Sequence, residues 1–412
     1  MKPHLYLFFA CAAMAAAHAQ SLDELIEQAL RANPEVLAAQ KRYEAMRQRP
    51  SQESSLPDPM LSLGYNSTGN PLPGSGIGRD PVASAGVMVS QELLYPGKRR
   101  LKGDIAMRDA DAELQRYLMV RLSVVSRLKQ AYHGLHHAYE MTGIMTREQD
   151  LMRKILRITE ARYAVGKAAQ QDIFKAQTQL SIMETRIERS RQEQRSREVE
   201  INSLLNRPSD TPIARPPDPE PVPLRAGLDE LMKQVREDAP MLRREQKMVE
   251  RTELALNLAR KEYYPDYTVS GGYYYMGSMA PMYMARVDFK LPAWFWRKQR
   301  AAVAEQAAGV SAARHDYSAA SQTLSFRVKD DYLMAETSYR LMNMYSTTVI
   351  PQASLALESG LASYQTGAVD FLSVLMNFTT LVEYELNYHE EKLNYFLALA
   401  RLEELTGVDL SK

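Results

Sequence analysis

The chain of 412 residues sets 51 lysines and arginines against 50 aspartates and glutamates, and its single cysteine is Cys11. So even a balance builds no face for nucleic acid, and one cysteine excludes a disulfide framework or a zinc-type Cys/His set. No apolar run of about 18 residues follows the first twenty, which excludes a spanning helix but not spanning β-strands, whose signal is far weaker.

In chain order, Lys2, the apolar run Leu5 to Ala17 and the triplet Ala17-His18-Ala19 predict a secretory signal peptide over 1–19, cut before Gln20. Phe8-Phe9-Ala10 is a poor lipobox before Cys11, so the chain is read as unlipidated. Cleavage would remove Lys2 and leave 50 basic residues against 50 acidic ones, with no cysteine.

Ser21, with Glu24 three residues on, has the pattern of a capping box and opens a first helix. Near Pro57 the period changes to two. Leu61, Leu63 and Tyr65 alternate with Ser62 and Gly64, a Gly/Pro/Ser/Asn-rich loop covers Asn66 to Pro81, and Ala85, Val87 and Val89 form a return strand. From Lys98 to Tyr163 there is no proline; only Gly103, Gly134 and Gly143 interrupt. A helix of that length extends ~100 Å at about 1.5 Å per residue. Leu151, Ile155 and Ile158 give it a coiled-coil face. After Gly166 a second helix returns through Phe174 and Leu180 to Leu205. Seven prolines between Arg207 and Leu224 then predict an extended strap.

The pattern then repeats. Leu22-Asp23-Glu24-Leu25 recurs as Leu228-Asp229-Glu230-Leu231, Pro57-Asp58 as Pro265-Asp266, and Tyr163-x-x-Gly166 as Tyr364-x-x-Gly367, in the same order at offsets of 206, 208 and 201. The expected organisation is a first repeat over 20–206 (β-hairpin about 58–93, helical tip near 166), a proline-rich linker over 207–226, and a second repeat over 227–412 (β-hairpin about 266–292, tip near 367). Pro351 predicts a break in the second outbound helix, near where Gly143 falls in the first.

The second hairpin carries the clearest strand. Ala285, Val287, Phe289 and Leu291 face one way; Arg286, Asp288 and Lys290 face the other. Tyr263, Tyr264, Trp294, Phe295 and Trp296 crowd its margins, as amphipathic rings do at membrane interfaces. Such a strand suits a wall between lipid and water, with Arg286, Asp288 and Lys290 in the lumen; an ordinary sheet with one solvated face alternates in the same way. Four strands are too few to close a barrel, which needs about eight, and an open sheet edge in lipid costs several kcal/mol per unpaired group. If these strands span a membrane, several chains share one barrel.

Two clusters invite sharper readings. His133, His136 and His137, with Glu140, lie at helical spacing that can present metal ligands; a polar patch has the same spacing, and no metal site is assigned. Met276, Met279, Met282 and Met284 crowd the second hairpin loop, where thioethers favour soft ions such as Cu(I) and methionine also serves as a gap-filler. No nucleophile–base pair, strained nucleophile turn, phosphate loop or cofactor motif stands out, so neither an enzyme nor a cofactor is expected.

The duplicated tips Ala161-Arg162-Tyr163-Ala164-Val165-Gly166 and Ala362-Ser363-Tyr364-Gln365-Thr366-Gly367, each leading into a long Gln/Thr/Leu-rich helix, are similar to those of the outer membrane efflux protein family, often called TolC-like. The resemblance covers essentially the whole mature chain, and Leu94-Tyr95-Pro96-Gly97-Lys98-Arg99 resembles the branch serving heavy-metal and related resistance pumps. It implies a mainly α fold with β-strands: a duplicated unit of long antiparallel coiled-coil hairpins plus two β-hairpins, completing a twelve-stranded barrel and an α-helical tunnel as a homotrimer in outer-membrane lipid.

It further implies a passive conduit whose tips dock a periplasmic adaptor linked to an inner-membrane transporter. The docking rim would comprise Tyr163, Val165, Gly166, Lys167 and Ala168 of one tip and Tyr364, Thr366, Gly367, Ala368 and Val369 of the other. Acidic residues line the family's closed aperture; here Asp370 is kept, with Ser373 and Met376 where further acids are common, so gating would rest more on packing. The same architecture serves as the outer channel of a protein secretion system. A periplasmic adaptor or structural coiled-coil protein is the competing class, but adaptors carry one helical hairpin and no duplicated strand pairs.

Overall fold

The computed structural model describes residues 21–68, 71–408 and 410. The expected signal peptide and Cys11 lie outside them. Ser21 caps the first helix as expected: its Oγ accepts from the Glu24 amide at 3.3 Å, and the Glu24 carboxylate accepts from the Ser21 amide at 3.3 Å.

In chain order the elements are α1 (Leu22–Ala32), α2 (Pro34–Met46), α3 (Arg49–Glu53), β1 (Met60–Asn66), β2 (Ser84–Leu93), α4 (Lys98–Ala164) and α5 (Gln170–Leu204). There follow α6 (Leu228–Asp238), α7 (Pro240–Lys261), β3 (Asp266–Tyr275), β4 (Met282–Lys290), α8 (Lys298–Met344), a π-helical turn (Tyr345–Val349), α9 (Ile350–Thr366) and α10 (Phe371–Thr406). Among the described residues no helix is both long and apolar enough to cross a membrane.

Two local expectations need correction. The opening helix of each half is several helices, because Pro34 and Pro240 lack the N–H that would continue the preceding one and so begin the next. At the first of these joints the Asn33 side chain accepts from the Glu35 amide at 2.9 Å and donates to the Leu204 carbonyl at 2.9 Å. Gly143 interrupts nothing, since α4 passes through it unbroken. At Pro351 the second outbound arm is interrupted as expected, by a π-helical turn between α8 and α9. That turn widens, with Ile350 N–H donating to Tyr345 O.

The chain divides into two compact units. The first comprises the residues through Leu37, Arg121–Met232 and Arg327 onward. Its seam is read on α4 at Met152, Ile155 and Thr159 and on α10 at Phe371, Val374, Phe378 and Leu381, all buried at alternating three- and four-residue spacing, with buried Met145 seven residues before Met152. Met183 and Ile187 of α5 and Leu357 of α9 close the same core. The seam lies beside Leu151 and Ile158, which are only half-buried. The proline-rich segment is tied to this unit: Asp218 accepts from Lys392 Nζ at 2.6 Å, Arg215 pairs with Glu140 at 2.7 Å, and Tyr395 donates its hydroxyl to Val222 O.

The second unit comprises Ala38–Val120 and Lys233–Phe326 and holds the antiparallel sheet β1-β2-β3-β4. Where strands give way to helices, Lys98 is 1 % exposed, with Nζ 3.0 Å from both Asp266 oxygens, 3.3 Å from Glu262 and 3.1 Å from Tyr264 O. Asp266 also accepts from the Tyr95 amide at 2.8 Å, and Tyr95 stacks on Tyr264 at 4.5 Å. A buried ammonium is tolerable only when paired and hydrogen-bonded in this way. The knot fixes β2 and α4 of the first half to α7 and β3 of the second.

Candidate functional site

Strand register settles which side chains share a face, because directly paired residues point the same way. Leu63, Val87, Tyr273 and Tyr283 form one cross-strand row; Leu61, Val89, Gly271 and Ala285 form the next; Val269 and Val287, then Tyr267 and Phe289, follow. This face is apolar across all four strands. Leu61, Leu63, Val89, Val287 and Phe289 are each at least half exposed. Gln91 is its polar exception, and its amide is spent on the Pro57 carbonyl at 2.7 Å. Aromatic residues bracket the band: Tyr65, Tyr273, Tyr275 and Tyr283 at one end, and Tyr267 and Phe289, whose rings lie 6.3 Å apart, at the other. From Ala85 to Leu93 the band runs about 26 Å at about 3.3 Å per residue.

The opposite face carries Ser62, Ser90, Glu92, Thr268, Ser270, Arg286, Asp288 and Lys290. Arg286 pairs with Asp288 at 2.8 Å, Lys290 stands opposite Asp266, and Ser270 donates to Ser90 at 3.1 Å. Gly64, Gly86 and Gly272 leave a trough here, which the Tyr274 ring fills. A Cβ at Gly86 would lie 2.4 Å from that ring and from Tyr273 O. Met282 and Met284 share this polar face, with Met88 across Gly272 from Met284, so the methionines do not form one closed set in the loop.

The helical tips belong to the first unit. Both turns end in a left-handed glycine, Gly166 at φ 73° and Gly367 at φ 90°, where a Cβ would be strained. Lys167 N–H reaches back to Arg162 O at 2.8 Å, and Ala368 N–H to Ser363 O at 2.9 Å, the bonding that closes a helix on a glycine. The two tyrosines at equivalent positions differ. Tyr163 is exposed, as are Val165, Lys167, Thr366 and Ala368, whereas Tyr364 is 2 % exposed and lies edge-on to Phe371.

The cause is Arg162, which sequence reading did not single out. Its guanidinium lies 4.5 Å over the Tyr364 ring, donates to Tyr364 O and to Gln365 O at 2.9 Å, and reaches Lys167 O at 3.2 Å. One side chain thus ties the two turns together. Asp370 caps α10, accepting from the Ser373 amide at 2.9 Å and hydroxyl at 2.6 Å, and these bonds hold its carboxyl below the usual range. Ser373 is its partner, and Met376 is exposed.

The histidines diverge. His133 stacks on Phe396 at 4.5 Å; His136 lies 3.0 Å from Asp218, out of line for a hydrogen bond; His137 lies near Glu193 and Arg197. Burial lowers the pKa of all three, that of His133 to about 3. Among the described residues no group of three or more His, Cys, Asp or Glu could hold a metal ion.

Two other titratable groups occupy the coiled-coil seam itself. Glu148 of α4 and Glu385 of α10 continue the three- and four-residue spacing of the buried positions, and each has a buried carboxylate oxygen without a hydrogen-bond partner. Burial first, then Glu385, raises the Glu148 carboxyl to about 7, against the opposing pull of Arg147. Because the folded state holds this proton more tightly than the unfolded chain, the stability it contributes is complete below about pH 4.5 and is lost as pH rises through 7. Glu148→Gln is therefore expected to stabilise the protein at pH 8 by roughly 2–3 kcal/mol and to leave it unchanged at pH 4. Thermal melts of the two proteins at both pH values check this, and equal shifts at both would contradict it.

With this geometry in view, the sequence matches the family model described as outer membrane efflux protein over residues 25–207 and again over 231–408. No curated protein matches it. Among solved structures it is similar to the outer membrane protein VceC of Vibrio cholerae (TM-score 0.80, 17% identity, 94% of this chain and 96% of that one). It is also similar to CusC, whose structures concern folding and transmembrane channel formation (TM-score 0.80, 16% identity, 93% and 91%). A third is the open state of the MtrE outer membrane channel of Neisseria gonorrhoeae (TM-score 0.74, 18% identity, 94% and 89%). At such identities these structures speak to the fold alone.

Proposed function

The chain belongs to the outer membrane efflux protein family, and on that premise we propose that three copies of its sheet close into one barrel that carries substrate out of the periplasm. As a member it is an outer-membrane efflux channel extending into the periplasm, a conduit and not an enzyme. The observation that carries a barrel shared between copies is the sheet: apolar on one face across every strand, polar on the other, and open at β1 and β4; the number three rests on family membership. Lipid requires both edges to be paired, and β4 of one copy meeting β1 of the next satisfies each edge. Three copies give twelve strands, above the number at which a barrel closes on its own side chains.

In this reading Arg286, Asp288 and Lys290 line the water-filled lumen, and the energy for transport comes from an inner-membrane transporter reached through a periplasmic adaptor. The adaptor meets the exposed rim of the tips at Tyr163, Val165, Lys167, Thr366 and Ala368, while Gly166, Gly367 and buried Tyr364 shape that rim. Asp370, Ser373 and Met376 border the aperture, where Asp370 serves as a helix cap. The protein extracted in detergent is expected to have the mass of a trimer and to open ion-conducting pores in planar bilayers. A stable folded monomer without conductance would refute the shared barrel.

A further inference from the structure

The turn between β4 and α8 combines the interfacial aromatic residues with a set of cations that the channel reading does not use. Trp294, Phe295 and Trp296 are consecutive, and each is at least half exposed. Their rings touch one another edge to face, Trp294 to Trp296 at 5.7 Å and Phe295 to Trp296 at 5.1 Å. Directly after them come Arg297, Lys298 and Arg300, all exposed, and none forms an ion pair among the described residues. From Phe289 to Ala304 the sequence holds no carboxylate at all. The nearby acids Glu262 and Asp266 are already committed to Lys98.

The turn also continues the aromatic end of the apolar band, beginning one residue after Lys290 and close to the Tyr267–Phe289 pair. Indole rings favour the boundary between acyl chains and headgroups, and unpaired lysine and arginine there attract anionic headgroups within a Debye length. We propose that this turn is a binding surface for anionic phospholipid in the leaflet beside the helices, with the rings at the acyl boundary and Arg297, Lys298 and Arg300 on the phosphates. The inference rests on the barrel reading, since it requires the apolar face to lie in a bilayer.

The test uses the intact trimer, equilibrated with an equimolar mixture of phosphatidylglycerol and phosphatidylcholine, with retained lipids counted by native mass spectrometry. The wild type is expected to retain phosphatidylglycerol in about tenfold preference. The variant combining Arg297→Glu, Lys298→Glu and Arg300→Glu is expected to show none, while its trimer mass and its conductance in pure phosphatidylcholine stay unchanged. Excess glycerophosphate should leave the lipids in place, because the rings hold the acyl boundary.

Equal retention of the two lipids by the wild type, or an unaltered preference in the variant, overturns the proposal. Release of the lipid by glycerophosphate overturns it in favour of a plain anion site. Loss of the trimer by the variant in phosphatidylcholine does so too, by assigning the turn to the contact between copies. A wild type that forms no conducting pore in phosphatidylcholine bilayers rejects the barrel itself.

Discussion

Val287→Arg is expected to abolish assembly into the outer membrane, whereas Asp288→Arg on the next residue leaves assembled protein near the wild-type amount. Val287 sits within the apolar band, opposite Val269, and is half exposed in the single chain. An arginine facing lipid near the midplane costs ~2–4 kcal/mol. Three copies would repeat that cost around one barrel, exceeding much of the roughly 5–15 kcal/mol by which a folded protein is stable. Asp288 points to the polar face, where its partner Arg286 is exposed and the ion pair contributes little. Heat-modifiable migration of outer-membrane fractions separates folded from unfolded barrels for both variants. Equal losses at the two positions would reject the face assignment and, with it, the lipid-facing band.

This strand was also where the sequence was most legible. Four apolar and three charged residues in strict alternation specify two faces without knowledge of any neighbour. The pairing of that strand with the rest was not legible. Val287 meets Val269 nearby, but Val89 is carried onto the same face only by the register of β2 with β3, some 180 residues apart in the chain. Lys98 shows the same limit: its motif turn stood out, yet it is buried against partners, Glu262 and Asp266, that come from the other half. Glu148 and Glu385 were missed for a different reason. A carboxylate at helical spacing reads as a solvated face, and only the packing of α4 with α10 places it in the seam. The histidine spacing could not by itself separate metal ligands from a polar patch, because residues at i, i+3 and i+4 share a side of a helix, and here they meet three different neighbours.

The largest functional effect is expected at the tips, where Gly166→Glu and Gly367→Glu should each abolish efflux while trimer abundance in the outer membrane stays near normal. Both glycines occupy left-handed backbone, which costs a residue with a Cβ roughly 1–2 kcal/mol. That is too little to unfold a seam built from Met152, Ile155, Phe371 and Phe378. The two positions differ in what surrounds them. A Cβ at Gly166 meets nothing within 4 Å, so glutamate there alters mainly the exposed rim. A Cβ at Gly367 lies 3.5 Å from Arg162 Nη2, so glutamate there also draws on the guanidinium that bridges the turns. Arg162→Ala separates the two effects, since it leaves both glycines in place and removes the bridge to Tyr364, Gln365 and Lys167. Site-specific crosslinking between the rim and the adaptor is the direct measurement. If the tips are the docking surface, Gly166→Glu loses crosslinking and efflux together, and Gly166→Asn, which tolerates the left-handed region, keeps both. A Gly166→Glu variant that loses the trimer would make the turn structural, and one that retains crosslinking and efflux would place the adaptor contact elsewhere on the chain.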